Sequence, residues 1–439
     1  MNVSSLPLAI PRRTLSLFGR FWLPLVSWYL VGRGLHDGLS ELASHVNRSI
    51  PVAGFSILAV AILCSLTATA LMFLSIQPGL PTVWAVRREE VQTDPTLGVR
   101  DPHRHTVKEI SRSVAQALMP FLLVYAAWNL FMDDVRDMTY ESFAIDMGKA
   151  GASLPAFTNW FAVAAVVALG LRFLFESISK RTGNPVTWIF AAVFEANWTF
   201  FVIYGIQQVF GNILDWFFGT LAWYNIKDAV SAVKGLFPVL PFHPGQDSSV
   251  VGDWFRGSVV PALGDGLVLP IAWLGITGVV YGRELEEVRW VLTGRARVLH
   301  ERMTSRAPDR LRRYLAKFPP PSFKERYYPP FQAIWMMIGA GVPALLLFCV
   351  YYDALALGVD ILKQVLTAII GPRDPGLFWQ EMAGPVDVVV QAIGEPLRIC
   401  LLAATFDFSL SVLLRKRRDE ERAGAPAPAR ETAPVSATS

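Results

Sequence analysis

Long apolar runs separated by clusters of arginine constrain this chain more than any other feature. A hydrocarbon core about 30 Å thick takes roughly 20 helical residues to cross, and lipid offers no water to an open backbone. Apolar runs of that length lie at 52–76, 114–132, 158–174 and 331–352. Four more carry charge: 15–34 with Arg20 and Arg33, 185–210 with Glu195, 259–281 with Asp265, and 388–414 with Glu395, Arg398 and Asp407. The chain is 53% hydrophobic and only 17% charged, with a mean hydropathy of +0.38, which sets it apart from soluble domains. The expected fold is all-α: a polytopic membrane bundle of about eight transmembrane helices arranged as four hairpins.

Charge placement gives the direction of threading. Segments 1–14, 77–113, 176–184, 282–330 and 415–439 hold 28 lysines and arginines, against 8 in the alternate connections 35–51, 133–157, 211–258 and 353–387. Basic loops stay in the cytoplasm, so the sequence predicts a multi-pass plasma-membrane protein with both termini inside. Arg12 and Arg13 before the first apolar run resemble an export signal, but no small-residue cleavage site follows, and a retained anchor is expected. Arginine over lysine, with an alanine-rich tail, associates the chain with bacteria. Trp216, Trp223, Trp254 and Trp379 fall in outer connections or beside span ends, as an interfacial aromatic belt requires. The outer connections after spans five and seven have apolar residues at helical spacing and are expected to lie flat on the membrane as amphipathic helices, with a further dip into the membrane as the alternative.

Three regions follow: an N-terminal membrane half at 1–180, a C-terminal half at 181–418 that includes the basic cytoplasmic segment 282–330, and a disordered tail at 419–439. Each half has a long basic inner loop. "ALGDGL" at 262–267 and "AIGEPL" at 392–397 mark the returning spans of the last two hairpins, which suggests a duplicated unit.

The charges inside the runs are the candidate sites for substrate or protons: Glu195, Asp265, Glu395 and Arg398. Asp265 and Glu395 are expected near the outer interface, each behind a glycine that suits a bend. There a carboxylate in a helix's first turn is either dipole-stabilised and hydrated or part of an outward-facing site. Glu195, about 15 Å from Pro185, is expected near the bilayer midplane, where a carboxylate needs a partner from another span, a water-filled cavity or a proton. Arg398, Arg20 and Arg172 are the available cations. Arg20 and Arg172 are close enough to the inner ends of their runs to snorkel, and Arg398 pairs most simply with Glu395 three residues away. Asp407, roughly 10 Å from the inner end, is expected to snorkel or to serve helix packing.

No nucleotide-binding, zincin or serine-hydrolase motif occurs, and no cofactor is expected. "DPHRH" at 101–105 has no complementary cluster near it in sequence, so no metal site is expected. Cys64, Cys349 and Cys400 sit in apolar runs as packing residues. In 282–330, Arg295, Arg297, Arg302, Arg312 and Arg313 are candidates for contact with anionic lipid or a cytosolic protein, or simply the positive-inside signal on a solvated loop. Nucleic acid is not an expected partner, and the oligomeric state is left open. Three function classes remain: a permease-like protein without its own ATPase, moving a small molecule or lipidic envelope precursor; a non-catalytic scaffold or assembly subunit of a cell-envelope complex; and a membrane transferase with an outward-facing acidic site.

Overall fold

The computed structural model describes residues 6–85, 121, 130–145, 159–182, 185–218, 264–282 and 342–424. These are 96% helical and contain no strand. The helices are α1 (Leu6–Asn47), α2 (Pro51–Ile76), α3 (Leu130–Ile145), α4 (Asn159–Thr182), α5 (Pro185–Phe218), α6 (Leu269–Gly282), α7 (Val342–Ile370) and α8 (Gln380–Gly424). Four segments are long and apolar enough to cross a membrane: Pro51–Gly79, Trp160–Thr182, Pro343–Ile370 and Glu381–Arg415. Ile189–Gly205 and Gly266–Gly278 are shorter apolar helices.

Three hairpins are built by short turns whose chemistry is local. Between α1 and α2 the N–H groups of Ser49 and Ile50 donate to the Val46 carbonyl, and Pro51 opens α2, where a missing N–H costs nothing. Only residues 183 and 184 separate α4 from α5, which again begins on proline. After α7 the chain reverses at Gly371, whose φ of 81° lies in the left-handed region that ends helices, and its N–H returns to the Thr367 carbonyl. Asp374 Oδ1 then accepts from the N–H groups of Gly376 and Leu377 at 2.9 and 2.8 Å, opening a π-helical turn, Pro375–Trp379, that leads into α8.

These helices change several sequence-based boundaries. Residues 35–47, expected in an outer loop, continue α1 as one 42-residue helix, and the backbone of Asn47 lies against Gly54 of α2. The span expected at 158–174 carries on as helix to Thr182, through most of the basic inner link. The connection after span seven is not a separate helix: residues 353–370 prolong α7, and the turn at 371–374 leads the chain through a π-helical turn into α8. The first part of the connection after span five, 211–218, likewise extends α5. In each case the sequence marks where apolarity stops, but i to i+4 hydrogen bonds continue until a glycine, a proline or a short turn interrupts them.

The core lies where α1, α2, α6 and α8 meet. Tyr281 of α6 contacts Phe73 of α2 edge to face and Phe406 of α8, with ring centroids 5.9 and 5.6 Å apart. A second aromatic cluster joins the α1–α2 hairpin to α4–α5: Phe55 meets Phe161 at 5.3 Å and Tyr204 at 5.4 Å. Small residues permit the closest approaches. A Cβ on Gly32 would stand 2.3 Å from that of Ala68, so α1 and α2 touch through glycine. Cys64, Cys349 and Cys400 are free thiols.

Candidate functional site

The α4–α5 hairpin fixes Glu195. Arg172 stands ten residues before Thr182 and Glu195 ten residues after Pro185, so an antiparallel pair of helices brings them level, about 15 Å above the turn. Arg172 Nε lies 2.8 Å from Glu195 Oε2, and the two side chains are 11% and 13% exposed. The guanidinium also lies over the Phe173 ring at 5.2 Å. Arg172 therefore does not snorkel. The apolar run that ends at Leu174 suggests that it would, but the helix end is at Thr182, two turns further on.

The aromatic contacts give the ion pair's height along the helices. Phe55 and Phe161 touch, and from each of them 21 residues lead to the end of its helix, at Ile76 and Thr182. The ion pair sits roughly halfway along that length.

The turn of α5 that carries Glu195 is rich in polar groups. Asn197 and Thr199 are buried, and Asn197 Oδ1, Trp198 Nε1 and Thr199 Oγ1 have no hydrogen-bond partner among the described residues. Asn197 donates its amide to the Val193 carbonyl at 3.0 Å, which identifies the nitrogen end of the side chain. Asn197 is not among the candidates that charge marks in the sequence. "EANWT" holds one amide side chain two positions from the acid, and that is the available signal.

Beside this turn, between the α1–α2 and α4–α5 hairpins, lies an open groove of about 430 Å³. Its walls include Leu42, Val60, Val167, Leu171 and Phe201, with Ser56 and Asn197 as the polar lining. Leu171 and Phe194, which adjoin the ion-paired residues in sequence, both line it.

Asp407 has a different setting. Its carboxylate is 1% exposed; Oδ1 accepts from the N–H groups of Thr82 at 2.8 Å and Val83 at 3.1 Å, and Oδ2 accepts from Arg13 at 3.2 Å. Residues 81–85 are helical, the first N–H groups of a helix have no partner within it, and Asp407 supplies one. The acid is a cap and a tie between α8, α1 and the chain after α2, so of the two expectations, snorkelling and packing, the structure shows packing.

Glu395 pairs with Arg398 on the same helix, as expected. Arg398 in addition lies over the Trp273 ring of α6 at 4.7 Å, linking two helices. Glu395 lies fifteen residues into α8 rather than in a helix's first turn, and twelve residues, about 18 Å of helix, separate it from Asp407. Gly394 does not bend α8: a Cβ there would stand 2.8 Å from Val359 Cγ2, and its role is the close approach of α7. The matching segment differs, since Gly264–Val268 is a π-helical turn, with Gly266 against Asp353 of α7. The two similar hexapeptides thus have different backbones while both rest on α7.

Arg295, Arg297, Arg302, Arg312, Arg313 and the 101–105 segment lie outside the described residues, as does the side chain of Asp265. Among the described residues no group of three or more His, Cys, Asp or Glu side chains could hold a metal ion. No known family, no curated protein and no solved structure matches this chain.

Proposed function

We propose that the chain is a permease-like plasma-membrane protein that moves a small molecule or lipidic envelope precursor without an ATPase of its own. It threads the bilayer eight times as four hairpins, with both termini and the basic segment 282–330 in the cytoplasm. What supports this reading is the Arg172–Glu195 pair: a charged couple halfway along two helices, on the hairpin whose Leu171, Phe194 and Asn197 line an open groove. Ionisable groups at such depth mark pathways in membrane proteins, and an acid paired with an arginine can exchange that partner for a proton or a cargo group.

The test compares lipid and metabolite profiles of cells lacking the protein, complemented by wild type or by Glu195→Gln at equal abundance. Transport predicts a compound that accumulates on one side of the membrane without the protein and with Glu195→Gln, and that wild type clears. Identical profiles for wild type and a folded Glu195→Gln variant reject the role.

A scaffold role is the second reading, and the outer part of α7 favours it. Leu357, Ile361, Val365 and Ile369 form an exposed stripe at four-residue spacing on a helix that runs beyond its expected span. A photo-crosslinking residue at Ile361 that captures one defined membrane protein in intact cells supports this reading; capture of lipid alone counts against it.

A further inference from the structure

Helix α3 bridges the α1–α2 and α4–α5 hairpins. Phe131, near its start, meets Phe200 of α5 with ring centroids 5.5 Å apart, and Ser142, near its end, donates to the Ser44 carbonyl of α1 at 3.0 Å. Phe131, Val135 and Met138 recur at four and three residues and are buried, so one face of α3 is packed. Asp134 falls between these contacts, opposite His36 of α1. His36 Nε2 is 3.5 Å from Asp134 Oδ1, and Nδ1 is 3.3 Å from Asp37 Oδ1 on its own helix. The His36 and Asp134 side chains are 15% and 16% exposed. A neutral imidazole has one N–H and one lone pair, so it serves one carboxylate and sets its lone pair against the other; an imidazolium donates to both. Among the described residues the other charges near the ring are Arg33, paired with Asp37, and Asp137 on α3. Asp133 pairs with the exposed Arg136, Glu141 is exposed, Asp387 of α8 acts on Arg33, and α2 carries no charge. Burial disfavours the charged ring, but Asp134 and Asp37 outweigh it and hold the His36 pKa up at about 9.

We infer that His36 and Asp134 form a pH-sensitive latch that holds α3 across the two hairpins, closed while the ring carries both protons and released when it loses one. A histidine whose docked value is raised stabilises docking in full below its ordinary value of 6.5, and that stabilisation is gone once the pH has risen through about 9. With α3 away, Asp37 stays beside the ring and Asp134 does not, so the undocked value falls between these two. Release is thus an alkaline event. The latch does not depend on whether the protein transports anything.

The test is hydrogen–deuterium exchange of the purified full chain in nanodiscs, read on α3 peptides from about pH 6 to about pH 10. Dividing each rate by that of His36→Gln at the same pH cancels the pH dependence of exchange itself. Wild-type α3 should be protected about tenfold more than the variant near pH 6 and equally near pH 10, since tenfold is what about one pH unit between docked and undocked values supplies. Asp134→Asn should lose this pH dependence and Asp137→Asn should keep it. A ratio that is flat with pH, or a dependence that survives Asp134→Asn or vanishes in Asp137→Asn, overturns the inference. Should the variants fail to fold, wild-type α3 peptides referred to those of α4 give the profile alone: α3 must lose protection relative to α4 as the pH rises, and parallel profiles overturn the latch.

Discussion

Two buried carboxylates, Asp407 on α8 and Glu195 on α5, show how differently a membrane-type helical fold can use an acid. Asp407 is bound by three donors that come from 324 to 394 residues away in sequence, two of them backbone N–H groups that cannot move without unwinding a helix. It stands in a stretch of α8, residues 399–410, that is buried throughout. Glu195 faces an arginine 23 residues away in the same hairpin. The first acid is committed to architecture by its partners; the second has a side chain for a partner. Burial alone does not separate the two. What differs is whether the partner belongs to the backbone.

The largest expected effect follows from that contrast. Asp407→Ala removes the cap from residues 81–85 and leaves the N–H groups of Thr82 and Val83 without an acceptor, and should lower stability by about 2–5 kcal/mol, at roughly 1–3 kcal/mol for each buried donor left unmade. Arg13→Gln should cost much less, because Arg13 is part-exposed and the two backbone bonds to Asp407 remain. Thermal unfolding of purified protein in mild detergent, followed by burial-sensitive thiol labelling at the three free cysteines, measures both. Equal effects of the two substitutions would erase the distinction between a backbone-held acid and a side-chain-held one.

The second experiment addresses the other acid. Glu195→Gln leaves the Arg172 charge poorly matched at depth and should destabilise by about 3 kcal/mol. The double variant Arg172→Met with Glu195→Gln should recover most of the loss, since removing both charges of a buried pair is often neutral. No such recovery is expected for Arg13→Met with Asp407→Asn, because the N–H groups of Thr82 and Val83 still lose their carboxylate. A double-mutant cycle at each site gives the coupling energies, and similar values at both would contradict the comparison.

The contrast also shows which parts of the molecule could be read from its sequence. Helical class and the span at 52–76 were legible, because apolar length and a proline at Pro51 are local signals. That Glu195 needs a partner on another span was also legible, since its own helix offers Ala191, Ala192, Trp198 and Thr199 at three or four residues. That the partner is Arg172 was not, because it depends on where α4 ends. Polar residues 176–182 keep their helical hydrogen bonds outside the apolar run, so hydropathy misplaces the turn that sets the register. Asp407 was less legible still: its donors at Thr82 and Val83 come from a chain break after α2 that no residue of α8 announces. The glycine before Glu395 reads equally well as a bend or a contact, and only the position of Val359 decides.

Gly394 gives a smaller effect and asks whether α7 is as rigidly held to α8 as Asp407 holds α8 to α1. Gly394→Ala puts a methyl 2.8 Å from Val359 Cγ2, so the helices must separate or side chains must rearrange, at about 2 kcal/mol. Val359→Ala in the same chain should relieve most of it. If Gly394→Ala is neutral by itself, α7 adjusts freely and the firm core ends at α8.

The smallest expected effect concerns the other flank of the break that Asp407 caps. Tyr281 Oη donates to the Phe73 carbonyl at 2.7 Å, and the N–H that would serve that carbonyl in a continuing helix, that of Gln77, turns instead to Leu74. Tyr281 thus satisfies an orphan carbonyl at the end of α2, while Asp407 satisfies orphan N–H groups where the chain resumes helix five residues on. Both come from helices packed against the same corner, and Tyr281 and Phe406, next to Asp407, are in ring contact. Tyr281→Phe keeps the rings and removes only the hydroxyl, so it should cost about 1 kcal/mol, against the several expected at Asp407, because a neutral hydrogen bond exchanged with water is worth little net. Combined with Asp407→Asn, its effect should be less than additive, since once one flank of the break is released the other has less structure to hold. Strict additivity in the detergent melts would mean that the two caps act independently and that the corner is not a single cooperative unit.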